Sequence, residues 1–161
     1  MPKHEVQSQQ LEELVTYRLM QLADTVLRAA SEAYGARFGV TITEVRLLAV
    51  ISAHQPVLAN EITRRTGLDK GWVSRSLASL LKRGLVRRTN DPEDKRVAPV
   101  MLTPGGKRLV ERMAPYAATR HRKLMQGLEE NEVYRLLDVL QERADEMLNS
   151  PERQNNLVKV A

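Results

Sequence analysis

Arg75 and Lys82 fall, with Gly71 and Ala78, on one side of a helix predicted to run from Lys70 to about Arg83, and Trp72, Ser74 and Ser79 flank them. At about 100° per residue the opposite side gathers Val73, Leu77, Leu80 and Leu81. An ordinary solvated face would carry long Glu/Lys pairs. This one offers small residues and a few donors, which suits hydrogen bonding at close approach rather than bond-making. Lys95 and Arg96 form a second pair of cations at or near the tip of a predicted ribbon. No nucleophile–base pair, phosphate-cradling glycine loop or metal-ligand spacing of His, Asp and Glu accompanies them. An enzyme is therefore not expected, and neither a cofactor nor a metal is called for.

The elements that position these donors can be read around them. A short helix over residues 60–66 turns Ile62 inward, and Gly67 supplies the backbone freedom for a tight helix–helix turn. Asp69 is a good N-cap for the donor-bearing helix, which stops at Gly84. Residues 85–89 and 97–102 are strand-like, and Asn90-Asp91-Pro92-Glu93-Asp94 is dense in turn formers. Pro99 cannot donate to a ladder and belongs on an open edge or at a bulge. Helix, turn, helix and hairpin in this order fit a nucleic-acid groove. A DNA major groove about 12 Å wide admits one such helix, whose N-terminal residues reach base edges. An arginine on a ribbon beside it is placed for the narrow, negative minor groove.

This stretch resembles the winged helix–turn–helix of the MarR family of bacterial transcription regulators. The resemblance rests on Leu68-Asp69-Lys70 through Val73-Ser74-Arg75, on Lys82-Arg83-Gly84-Leu85-Val86-Arg87-Arg88, and on the wing Asp91-Pro92-Glu93-Asp94-Lys95-Arg96. Leu102-Thr103-Pro104-Gly105-Gly106 is similar to the family's Leu-Thr-x-x-Gly. It covers about residues 10–148 and implies a mainly α fold (an α+β winged helix). The winged helix–turn–helix, with its two-stranded wing, is flanked by long N- and C-terminal dimerisation helices. The whole chain, 1–161, is then one MarR-type domain, with a DNA-binding unit over 41–104, dimerisation helices over 10–34 and 104–148, and a loose tail over 149–161.

The resemblance also implies roles. Lys70, Ser74 and Arg75 match recognition-helix positions that contact the groove, with Arg75 the best candidate for a bidentate pair to guanine. Arg96 matches the wing arginine that enters the minor groove beside Lys95, Asp94 the acidic residue that helps hold it, and Arg87 and Arg88 would touch phosphate. Trp72 departs from the family, where a smaller residue is usual; it either contacts a thymine methyl or turns inward to pack against the wing. Similar proteins bind small, often aromatic or anionic, compounds in a crevice between dimer helices and winged unit. Tyr17, Arg18, Tyr34 and Arg37 are the residues near that expected crevice, and an aromatic acid or its thioester is the effector class to screen first.

Composition agrees with the placement of charge. The formal net charge is +5, but residues 60–112 alone hold 13 Lys/Arg and 6 Asp/Glu, so the basic excess lies on the proposed reading head. Cys is absent, which excludes disulfides and thiol redox sensing. Aromatics make up only 4%, so aliphatic residues must fill the core. Met1-Pro2-Lys3-His4-Glu5 leads into polar residues, no signal peptide is visible, and no apolar run approaches the roughly 20 residues of a membrane span, so cytoplasmic residence and no membrane partner are expected.

Outside the winged unit, residues 10–34 predict a long amphipathic helix with Leu11, Val15, Leu22, Val26, Ala29 and Ala33 on one stripe, broken around Gly35 and Gly39. Arg18 falls on the same stripe, where it needs either Glu13, Asp24 or a cross-subunit partner, or serves as counter-ion for an anionic effector. Thr41 or Thr43 caps a helix ending near Ala53, with Thr41 and Glu44 spaced as a capping box. Thr103 and Pro104 start a long helix that Pro115 should kink or split, and a last helix over residues 130–148 carries a broad apolar stripe. Burying the terminal stripes on a second copy gives a homodimer that reads a palindromic operator. The expected function is a DNA-binding regulator, in this family most often a repressor, released by a small molecule. The alternative is an architectural or protein-interaction winged-helix protein with no specific operator.

Overall fold

The computed structural model describes residues 8–89 and 98–149. After a 3-10 turn at Ser8–Glu13 the order is α1 (Val15–Phe38), α2 (Ile42–His54), α3 (Ala59–Thr66), α4 (Lys70–Lys82), β1 (Val86–Arg88), β2 (Val100–Leu102), α5 (Pro104–Leu124) and α6 (Glu130–Asn149). Contacts group the chain into two compact units, Met1–Ala114 and Pro115–Ala161.

In the first unit α2 is the central post, packed against α1, α3, α4 and β2. Leu47, Leu48 and Ile51 of α2, Ile62 of α3 and Leu80 of α4 have no exposed surface at all, and Val40, Val57, Val73, Leu77, Val86, Val100 and Leu102 complete the core. Aliphatic side chains do fill it, as the scarcity of aromatics requires. β1 and β2 pair antiparallel with Val86 opposite Leu102 and Arg88 opposite Val100. On the other edge of β2, Val57 exchanges two backbone hydrogen bonds with Val100, at 3.1 and 2.8 Å, adding a one-residue third rung. Pro99 keeps its place at the ladder's end as an acceptor only, its carbonyl taking the N–H and hydroxyl of Thr89.

Three helix readings are corrected. The helix α1 starts at Val15 and not near residue 10, after the separate 3-10 turn at Ser8–Glu13. Gly35 does not break α1, which runs through it to Phe38 and closes at Gly39, where φ is +64° and the N–H bonds back to the Gly35 carbonyl. An interior glycine costs a helix only about 1 kcal/mol, whereas the left-handed residue ends it. Of the two outcomes expected at Pro115 the split does not occur, α5 running as one helix from Pro104 to Leu124. Elsewhere the local signals act as read. Thr41 and Glu44 form the reciprocal capping box of α2, Gly67 closes α3 at φ +63°, and the Thr103 hydroxyl accepts the Gly106 N–H at the start of α5.

The terminal helices leave apolar surface uncovered within the chain. In the first unit, Val15, Met20 and Leu22 of α1 are more than half exposed. In the second, no residue of α6 is buried, and Leu136, Met147 and Leu148 are all more than half exposed. Among the described residues no helix is long and apolar enough to cross a membrane.

Candidate nucleic-acid interface

The candidate interface is built on α4, whose two sides separate as the periodicity predicts, although Ser79 and Leu81 are both half-buried. Val73, Leu77 and Leu80 are buried, while Lys70, Trp72, Ser74, Arg75, Ala78 and Lys82 are exposed. The Asp69 carboxylate caps the helix, accepting the N–H groups of Gly71 at 2.8 Å and Trp72 at 3.3 Å. The donor-bearing turns therefore start from a fixed backbone. Trp72 is 57% exposed and lies outside the core. Its ring instead meets Arg75, whose guanidinium carbon lies 4.7 Å from the ring centroid.

Beside this face lies a hollow of about 360 Å³, lined by α3, α4 and β1. Val73, Leu77 and Leu81 form its apolar floor, and Asn60, Thr63, Lys70, Ser74 and Arg88 rim it. The short ribbon thus brings Arg88 to the same hollow as the α4 side chains. Arg87 is exposed on the opposite face of β1, where its guanidinium reaches the Met101 sulfur at 3.7 Å. Asp94, Lys95 and Arg96 lie outside the described residues.

An ionic tie to the buried Glu44 fixes the orientation of α4, and the sequence reading saw only half of it. Glu44, 3% exposed, accepts the Thr41 N–H at 2.9 Å as part of its capping box. It also accepts the Ser79 hydroxyl at 2.7 Å and the Arg83 guanidinium at 3.1 Å. Arg83 in turn donates to the Gly39 carbonyl at 3.0 Å, so the α1–α2 corner is bound to the far end of α4. A second arginine, Arg46 of α2, donates to the Thr66 carbonyl at the end of α3. Burial alone would raise the Glu44 pKa, but the Ser79 and Thr41 hydrogen bonds and the Arg83 charge outweigh it and hold the group below its ordinary 4.5.

A depressed folded pKa gives stability that is present above the unfolded value and is lost as pH falls through the folded one. Glu44→Gln should cost about 1–2 kcal/mol near neutrality, since Arg83 is partly exposed and screened. The wild type should lose that margin in chemical denaturation as pH drops below about 4.5, and the variant should lack this part of the slope. Parallel pH profiles for the two proteins would contradict the tie.

The four residues offered for an effector are not brought together within one chain. Tyr17 is half-buried and Arg18 exposed near the start of α1, whereas Tyr34 is buried near its end. At 1.5 Å per residue Arg18 and Tyr34 stand about 24 Å apart along the helix. Neither Glu13 nor Asp24 forms an ion pair with Arg18. The second pair does belong to a cluster: the Phe38 ring lies 5.8 Å from that of Tyr34, with the guanidinium carbons of Arg37 and Arg112 each 5.9 Å from its centroid. Phe38 and Arg112 were missed because 74 positions separate them in sequence.

Residues 38–97, spanning the end of α1 to the wing, match the sequence model of the MarR family. A MarR/EmrR family transcriptional regulator from Acinetobacter sp. ADP1 is 30% identical in sequence, with a TM-score of 0.76 over 81% of this chain and 94% of that one. The chain belongs to the MarR family. The HTH-type transcriptional regulator YhjH of Bacillus subtilis (strain 168) is 30% identical over 83 residues, 52% of this chain. That match spans 47%, about half, of the curated relative's own length. The S. aureus MepR–DNA complex shares the fold, with a TM-score of 0.72 at 22% identity over 82% of this chain and 97% of that one. The Acinetobacter protein and YhjH are both transcriptional regulators by name. Among the described residues of this MarR-family chain no group of three His, Cys, Asp or Glu could hold a metal.

Proposed function

We propose that the chain is a sequence-specific DNA-binding transcription regulator that acts as a homodimer on a palindromic operator and represses until a small aromatic or anionic ligand releases it. The observation that carries this reading is the exposed face of α4, where Lys70, Trp72, Ser74 and Arg75 project while Val73 and Leu77 anchor the opposite side. Lys70, Ser74 and Arg75 enter the groove, with Arg75 forking onto guanine, Arg88 neutralises phosphate, and Arg96 of the wing takes the minor groove beside Lys95, held by Asp94. Arg87, on the far face of the ribbon, reaches phosphate only at the rim. S. aureus MepR, solved in complex with DNA, has the same fold, which supports DNA as the partner.

The uncovered stripes of α1 and α6 support the dimer, since pairing them with a second copy removes apolar surface from water. The aromatic pair Tyr34 and Phe38, with Arg37 and Arg112 beside the Phe38 ring, supports an aromatic anion as the input. Tyr17 and Arg18 join such a site only across the dimer. A ligand there shifts DNA affinity only by its differential affinity for the bound and released forms.

Anisotropy with a labelled duplex taken from DNA flanking the protein's own gene tests the reading. Binding should exceed that to a scrambled duplex by about 1,000-fold or more at physiological salt. Equal affinity for every duplex, falling together as salt rises, would favour the architectural alternative instead. A thermal-shift screen of aromatic acids and their thioesters, repeated with operator present, identifies the effector class.

A further inference from the structure

The α4 face carries a three-residue arrangement that no simple donor helix needs. Trp72 and Arg75 lie one turn apart, with the guanidinium carbon 4.7 Å from the indole centroid, a cation–π contact. Position 71 is a glycine, and a Cβ there would lie 3.3 Å from Arg75 Nη1 and 3.0 Å from the capping Asp69 Oδ1. The Arg75 head group therefore folds back over the bare backbone of Gly71, following the lean of helical side chains toward the N-terminus. It is delivered to the first turn of the helix, where base edges are read. There the guanidinium is already ordered on the indole, so less side-chain freedom remains to be lost on binding.

We infer that Gly71, Trp72 and Arg75 form a composite reader for a guanine beside a 5-methylpyrimidine, which in unmodified DNA is thymine. This rests on the DNA-binding reading and deepens it. Arg75 takes O6 and N7 of guanine with its fork, and the apolar edge of Trp72 packs on the C5-methyl of the neighbouring base. The spacing fits: the two side-chain groups are 4.7 Å apart, and successive bases of one strand rise about 3.4 Å. The methyl is the major-groove feature that an indole edge can read without a hydrogen bond. Trp72 thus sets the identity of the base next to the guanine, a choice a smaller residue would leave open.

Selection of binding sites from randomised duplexes, followed by thymine-to-uracil replacement in the selected operator, tests this. The wild type should select guanine flanked by thymine in each half-site. Removing that one methyl should weaken binding about four-fold per half-site, the worth of one buried methyl. W72A should select guanine with no fixed neighbour and bind the thymine and uracil duplexes equally, a double-mutant cycle on a single contact. Trp72 is the sole tryptophan in the sequence, so its emission should change on binding the thymine operator and change less on the uracil one. Should W72A misfold in a thermal melt, the wild-type affinities and emission decide alone. Equal wild-type binding to thymine and uracil duplexes, or a thymine preference that survives in W72A, overturns the composite reader and leaves the DNA-binding reading standing. A wild type that selects no sequence overturns both.

Discussion

Replacing Arg75 by alanine should strip the protein of its operator and leave its fold intact. The side chain is exposed on α4 and buttresses nothing in the core, so stability should move by less than about 0.5 kcal/mol. In the proposed docking it supplies a fork held over Gly71 and against Trp72 at the N-terminal end of α4. A bidentate arginine–guanine pair gives about 1–3 kcal/mol of discrimination, and a two-fold dimer uses it twice. Specific affinity should therefore fall by at least about 30-fold, while binding to random duplex falls only by the loss of one charge per subunit. Anisotropy on specific and scrambled duplexes, with a thermal melt as control, separates these outcomes. A uniform loss on both duplexes would place Arg75 on phosphate.

Gly106→Ala should damage the fold itself. The Cβ it adds would stand 2.0 Å from the carbonyl oxygen and 3.0 Å from the carbonyl carbon of Leu85. That carbonyl cannot retreat without cost, because it accepts the Thr103 N–H at 3.1 Å and the Thr103 hydroxyl at 3.2 Å. The first turn of α5 is thereby pressed onto the chain between α4 and the wing, and an added methyl must pry them apart. The expected loss is about 3 kcal/mol or more, a fall in Tm of about 6–12 °C for a chain of this size. Gly105→Ala is the control, since its Cβ would meet only the Thr103 hydroxyl at 3.5 Å and the Gly84 carbonyl at 3.8 Å. A Gly106→Ala protein melting with the wild type would refute the close approach. The Leu-Thr-x-x-Gly pattern, read in the sequence only as a resemblance, here has its physical cause.

What could be read from the sequence was what is local. The two faces of α4, the Thr41–Glu44 capping box, the Gly67 turn and the Thr103-Pro104 helix start each depend on neighbours within a turn or two, and periodicity or cap chemistry exposes them. The ties that orient α4 were invisible for the opposite reason. Glu44 looks complete as a cap, and nothing in its neighbourhood announces Ser79 or Arg83, 35 and 39 positions away. Val57 as a third rung is one residue long and has no pattern to show. Gly35 misled because a glycine inside a helix and one that ends it are the same letter; only the left-handed φ of Gly39 distinguishes them. The site divides the same way: the α4 donors were legible, while the Phe38–Arg112 contact arises only once α1 meets α5.

Hydroxyl-radical footprinting of the protein on its selected operator tests most directly whether two identical copies of α4 enter successive turns of one duplex. The expected pattern is two protected segments related by two-fold symmetry, their centres about 10 bp apart on one face of the DNA. A single protected segment, or even protection along the whole duplex, would contradict it.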